Sequence, residues 1–381
     1  MSEEAAAGGR AAWRARRFAL QGVARRLLPG ERVRWCLRAV RPGEAGVGVL
    51  QSVAHGGAHY GGLRACGSVW HCPVCAAKVA ERRRGELEGA IAAHRAAGGA
   101  VFLLTYTVAH GRGDDLQGLL GAFVAAVRSM LGGRPYRRLR GAYGVVGAVR
   151  GLEVTWGEAH GYHPHGHVLL FLDAPADGPW TEVRAARAAG ELRAALAPLW
   201  AAAAGRQGLT MSAARGLDVR HTRGAVGDYV AKFGRDPGGE PWGPGCELAK
   251  AHVKTGRAGR YTPWDLLRVV EETGESWARD RFREYATVFK GRHQLEWSKG
   301  LRDRLGLGRE ASDAELAERA EEPAVCLGVL TLAEWRLVLW GEARAAVLAA
   351  AEEGGWSAVG AVVAELRERW VVARAGPGPP G

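Results

Sequence analysis

The sequence predicts an α+β protein, and two observations carry that prediction. Runs rich in β-branched and aromatic residues lie at 101–108 (VFLLTYTV) and 145–156, and the second leads through a short turn, GEAHGYH, into a third run ending HVLLFL. The last two read as a hairpin. Long stretches of helical composition, 76–97, 115–131 and 181–204, surround them.

Composition bounds the rest. With 381 residues, 47% of them apolar, the chain can hold two or three compact units and a sizeable core. No apolar run reaches the roughly 18–20 residues of a membrane span. The start, MSEEAAAGG, is acidic and lacks a signal-peptide profile, and the six cysteines, four in the first fifth and two scattered, are not a secreted disulfide framework, so a reducing cytoplasm is expected. The net charge of +12, mostly arginine, favours a polyanionic partner, although Arg, Ala and Gly are also what a GC-rich genome encodes.

In chain order, residues 1–34 form a basic N-terminal arm, with an amphipathic helix expected over 13–28. Residues 35–98 form a zinc-binding segment and a basic helix. Cys72-Pro-Val-Cys75 is a knuckle that lets two thiolates reach one ion. Cys66 and Cys36 would complete a tetrahedral set, a closed structural zinc site. Cys36 is the most distant in sequence, with His55, His59 and His71 as substitutes. The helix that follows carries Arg82, Arg83 and Arg84, candidates for DNA contact.

The third strand run opens HPHGH. Side chains two apart on a strand share a face. His163, His165 and His167 therefore project together, anchored by the apolar residues 168–172. Imidazoles so presented suit a divalent ion. Across the hairpin Glu153 offers an oxygen ligand. Further on, GAVGDYVAKF at 224–233 reads as a short helix with Tyr229 and Lys232 on one face. A Gly/Pro-rich stretch at 235–248 separates this from a basic region with interleaved tryptophans. Ser312-x-x-Glu315 and Thr331-x-x-Glu334 are capping-box patterns that open helices in a C-terminal unit.

Taken together, CGSVWHCPVCAAKVAERR (66–83), FLLTYTVAH (102–110), LEVTW with GYHPHGHVLLF (152–171) and GDYVAKF (227–233) resemble the rolling-circle plasmid replication initiators, a branch of the HUH endonucleases. TPWDLL (262–267) and LEWSKGL (295–301) are similar to the actinobacterial plasmid members. The resemblance covers roughly residues 36–305. It implies a central antiparallel sheet flanked by helices, with the histidines on a central strand. It also implies an activity, nicking of one strand at the plasmid's double-strand origin.

By motif, His165 and His167 match the metal-binding pair for a catalytic Mg²⁺ or Mn²⁺, and His163 the family's first histidine. Tyr229 matches the nucleophile that forms a 5′-phosphotyrosine and frees a 3′-hydroxyl primer, with Lys232 one turn on. The expected partners are plasmid origin DNA and, through the family, a host helicase and DNA polymerase. On this reading the endonuclease domain spans 99–235, a basic accessory DNA-binding region 236–310, and a helical C-terminal region with a disordered tail 311–381. Some relatives carry glutamate four residues before the tyrosine, where this chain has Ala225; Asp228 and Asp218 are the nearby carboxylates. The competing readings are another HUH nuclease (a single-tyrosine transposase or a relaxase) and a non-catalytic zinc-dependent DNA-binding regulator.

Overall fold

A computed structural model describes residues 3–222, 259–319 and 323–375. Tyr229, Lys232, Ala225, Asp228 and Cys246 lie outside the described residues. The first elements are helix α1 (Glu3–Leu27), strands β1 (Gly46–Ser52) and β2 (Ala58–Gly61), helix α2 (Pro73–Ala96) and strand β3 (Ala100–Tyr106). Helices α3 (Leu116–Gly132) and α4 (Arg134–Ala142) follow, then strands β4 (Val145–Gly157) and β5 (Gly161–Leu172), helix α5 (Glu182–Gly205) and strand β6 (Leu217–His221). After the undescribed stretch come β7 (Arg260–Tyr261), α6 (Pro263–Thr273), α7 (Ser276–Phe289), β8 (Leu295–Trp297) and α8 (Leu301–Arg304). The chain closes with α9 (Asp313–Glu318), β9 (Ala324–Thr331), α10 (Leu332–Trp340) and α11 (Arg344–Ala375), the last broken at Gly354–Gly355.

Helix starts follow local chemistry. Asp115 accepts the Gly118 N–H and Thr181 the Arg184 N–H, each satisfying an amide left open by the first turn. Both anticipated capping boxes form, Ser312 with Glu315 and Thr331 with Glu334, and Thr262 with Asp265 makes a third.

The chain divides into two compact units. The first joins residues 1–76 to 312–381, so the two ends of the sequence build one body. Its sheet has the order β2-β1-β9, all antiparallel. Apolar residues of both ends, among them Phe18, Val47, Val49, Leu330, Trp335 and Val359, form one core. Arg344, 1% exposed, donates to the Gln21 Oε1 at 2.7 Å and lies over the Phe18 ring. The helical C-terminal region expected over 311–381 is therefore not an independent helical unit. It supplies β9, whose partner β1 lies nearly three hundred residues earlier. The N-terminal arm likewise buries Trp13, Leu20 and Val23, and Arg14 pairs with Glu352 at 2.6 Å.

Of the described residues, the second unit holds 77–222 and 259–311. Its sheet has the order β6-β3-β5-β4-β7, with β8 on β4, and every pairing is antiparallel. The fold class is the one expected: an antiparallel sheet, flanked by helices, with the histidine strand central. Part of the basic region after 250 belongs to this sheet, since β8 pairs with Val149–Gly151. The sheet's two faces differ. Leu103, Val149, Leu169 and Phe171 pack with Leu87 and Ile91 of α2. The opposite face, with Phe102, Leu104, Tyr106 and Leu170, is buried too. There Trp200 of α5 meets Tyr106 and Phe123 of α3 edge-on, with ring centroids 5.1 and 5.7 Å apart.

Candidate functional site: a histidine strand and a four-cysteine centre

The histidine row is built by register. β5 pairs with β4 so that Glu153 faces His165 and Thr155 faces His163, and with β3 so that Thr105 faces His167. Residues directly opposite in an antiparallel pair share a face. His163, His165, His167, Glu153 and Thr105 thus lie together, and Asp218, opposite Thr105 on β6, joins them. The same face is apolar further along β5, where Leu169 and Phe171 take the alternate positions. The histidines begin where that core stops.

The residues between the histidines explain the motif. Pro164 and Gly166 point to the opposite, helix-covered face. A Cβ on Gly166 would stand 3.1 Å from the Phe123 ring of α3. Glycine is needed there because the aromatic core occupies its side-chain space.

His163 and His165 stack at 3.8 Å between ring centroids, and His165 and His167 at 6.3 Å. His167 is held at both nitrogens, Nδ1 by the Thr105 hydroxyl at 3.2 Å and Nε2 by a Glu153 oxygen at 3.3 Å. His163 has both ring nitrogens buried without a hydrogen-bond partner among the described residues. Burial, then the neighbouring His165 and His110, push its pKa down to about 3. A neutral, desolvated imidazole lacking a hydrogen bond is a ligand in waiting, and a divalent cation fits the donor set.

Sequence reasoning missed His110. It follows β3, and its ring sits 4.3 Å from that of His163. Its Nδ1 lies 2.8 Å from the His160 carbonyl, which can only accept, so Nδ1 carries the proton and Nε2 presents a lone pair. The available signal was a histidine a few residues past a strand that pairs with the histidine strand.

In the first unit Cys36, Cys66, Cys72 and Cys75 are all buried, with ligand atoms within 4.8 Å of one another. Among the described residues this is the group of three or more metal-ligating side chains drawn so close; the histidine row is more open. The sulfur of Cys36 is 3.4 Å from Cys75 and 3.8 Å from Cys72, and Cys66 is 3.6 Å from Cys75. A disulfide needs about 2.05 Å. Hydrogen bonds to the other three cysteines, then burial, push the Cys36 thiol well up, so four thiolates require a cation among them.

The surroundings suit bound thiolates. The backbone N–H groups of Cys66, Ser68 and Cys75 point at cysteine sulfurs, and the Gln21 amide donates to Cys72 at 3.2 Å. Cys72 and Cys75 flank the start of α2, where the helix dipole favours negative charge. The four cysteines are positioned to hold a metal such as zinc, and Cys36 takes its place ahead of the histidine substitutes. His71 instead faces Glu31.

The arginine row is placed differently from a bare DNA-contacting face. Arg83 is buried and donates to Glu310 at 2.7 Å and to the Ala311 carbonyl. Arg84 is held by Glu81 and Glu88, and Arg82 is half-buried.

With this geometry in hand, comparison with known proteins is informative. A family model described as a replication protein matches residues 63–175, the span holding the cysteine knuckle, β3 and the histidine hairpin. A protein named "Protein rep" from Streptomyces lividans is 28% identical over 358 residues, covering 78% of this chain and 73% of that one. The chain is similar to these replication proteins. A "Neomycin resistance protein" from Streptomyces cyanogenus is 31% identical over 159 residues. That alignment covers 35% of this chain and 36% of the relative. No solved structure matches. Among the described residues, no single helix is long and apolar enough to cross a membrane.

Proposed function

We propose that this chain is a plasmid Rep protein that initiates rolling-circle replication by nicking one strand of its plasmid origin. One observation carries the reading: three histidines and a carboxylate share one face at the open end of a central antiparallel strand. When bound there, a divalent cation would polarise a non-bridging phosphate oxygen. His163, His165 and His167 would hold it, with Glu153 and His110 alongside. Tyr229 would attack phosphorus. Its phenolic proton is lost, the P–O3′ bond breaks, O3′ takes up a proton, and the 5′-phosphate stays on the tyrosine. Lys232 would steady the phenolate by its charge.

Tyr229 is proposed on the motif GDYVAKF. Chain length permits the role. The seven residues from Thr222 to Tyr229 can span at most about 25 Å. Phe102, which faces His221 at the end of β6, is three residues, or about 10 Å, along β3 from Thr105.

The test is nicking of supercoiled plasmid carrying this gene, with Mg²⁺ or Mn²⁺. Open circles and a covalent protein–DNA adduct are expected, both lost in Tyr229→Phe. Nicking that persists without an adduct would remove tyrosine from the mechanism. Binding with no nicking at all would favour a DNA-binding regulator.

A further inference from the structure

The second unit holds a pocket on the sheet face opposite the histidines. Along β5, Gly166 and Val168 turn to this face while His165 and His167 turn away. Phe123 and Val127 of α3 wall the first of two adjoining cavities, about 180 Å³. The second, about 290 Å³, runs on to Tyr136 and Arg140 of α4. Arg128 and Arg150 border both. Together the cavities reach the range of about 300–1,000 Å³ typical of small-ligand sites.

Two features narrow the ligand. Gln294 lines the first cavity, is 3% exposed, and has neither Nε2 nor Oε1 hydrogen-bonded among the described residues. It stands two residues before Glu296, which faces Arg150 on β4, so both side chains take the pocket's face. A buried amide left unbonded is costly, which marks a place where a ligand supplies the partners. Its adjacent donor and acceptor match the amino group and ring nitrogen of adenine, and the apolar side chains of Phe123, Val127 and Leu152 beside it suit a flat ring. The second feature is charge. Arg150 is paired with Glu296, but Arg128 and Arg140 have no hydrogen bond or ion pair among the described residues. Two unspent guanidinium charges balance a phosphate monoester, which carries about −1.5 to −2 at pH 7, better than a diester, which carries about −1.

We propose that this pocket binds a free adenine nucleoside monophosphate, its base against Gln294 and its phosphate on Arg128 and Arg140. The site lies apart from the histidine row, and its test uses no nicking. Adenosine 5′-monophosphate (AMP) would be titrated into the full chain by calorimetry, without divalent metal, beside the diester ApA and uridine 5′-monophosphate (UMP). Saturable binding of AMP at one site per chain is expected. ApA should bind about tenfold more weakly, having one phosphate charge for two guanidinium groups. UMP, whose base has no amino group for Gln294, should also bind about tenfold more weakly.

The Arg128→Ala/Arg140→Ala chain should bind AMP about a hundredfold more weakly, each charge-assisted bond being worth about tenfold. Arg279→Ala, at an exposed site on α7, should leave the affinity unchanged. Gln294→Leu should weaken AMP about tenfold, while the free chain melts no lower because an unpartnered buried amide has been removed. Neither Arg128 nor Arg140 holds an internal bond to lose, so melting curves of the double variant should also stay in place. No binding up to about 1 mM AMP overturns the site. Full affinity in the double variant, or an equal loss in Arg279→Ala, overturns the phosphate assignment. Full affinity in Gln294→Leu, or UMP bound as tightly as AMP, overturns the adenine assignment. ApA bound as tightly as AMP overturns a free nucleotide as the occupant.

Discussion

Zinc in the four-cysteine centre is the prediction with most leverage on the fold. Three of the six sulfur–sulfur separations are 3.4, 3.6 and 3.8 Å, averaging 3.6 Å, and all six lie within 4.8 Å. A tetrahedron's edge is about 1.63 times its centre-to-corner distance, so the matching metal–sulfur length is about 2.2 Å, against about 2.3 Å for zinc thiolate. These three edges already suit zinc thiolate. We predict one zinc per chain after purification without chelator, and loss of it in Cys72→Ser.

The stability cost follows from linkage. Free zinc at a thousand times its Kd stabilises the bound form by about 4.1 kcal/mol. A substitution that raises Kd past the free concentration removes that amount. For a unit of about 150 residues, each kcal/mol moves Tm by about 2–4 °C, so the first unit should melt about 8–16 °C lower. Calorimetry with metal analysis makes the check. If Cys72→Ser and wild type melt together, and the purified protein holds less than a tenth of an equivalent of zinc, the reasoning fails.

Three other outcomes are expected. Gly166→Ala should cost about 1–3 kcal/mol in a urea titration, because its methyl would press on Phe123, which is 1% exposed. Gly121→Ala, where nothing lies within 4 Å, should be neutral or stabilising. Glu153→Gln should weaken divalent-ion affinity about 10–100-fold, measured by calorimetric titration, since it removes the carboxylate beside His167. His94 is buried, donates its Nε2–H to the Leu172 carbonyl at 2.8 Å, and has a pKa lowered chiefly by burial. Its unfolded form takes up a proton at higher pH than its folded form, so it costs stability as pH falls below about 6.5. Denaturant midpoints at pH 7 and pH 5 should therefore differ less in His94→Gln than in wild type.

Much of this protein was legible in the sequence because its signals are local. The alternation of HPHGH with an apolar run placed three histidines on one strand face. Short turn chemistry joined 145–156 to 161–172 as a hairpin. Ser312 and Thr331 started their helices with side chains three residues apart. Only the tertiary structure decided the pairings between distant segments. β9 completes a sheet with β1 because Leu330 and Val47 bury together, which no local pattern encodes. Cys36 joins the other cysteines by folding of the intervening chain, not by spacing. His110 reaches His163 through the loop after β3, and Arg83 turns inward to Glu310 because that carboxylate is brought to it by packing. Periodicity fixes which face a side chain takes on its own element; what that face meets is set by the cooperative burial of apolar surface across the whole chain.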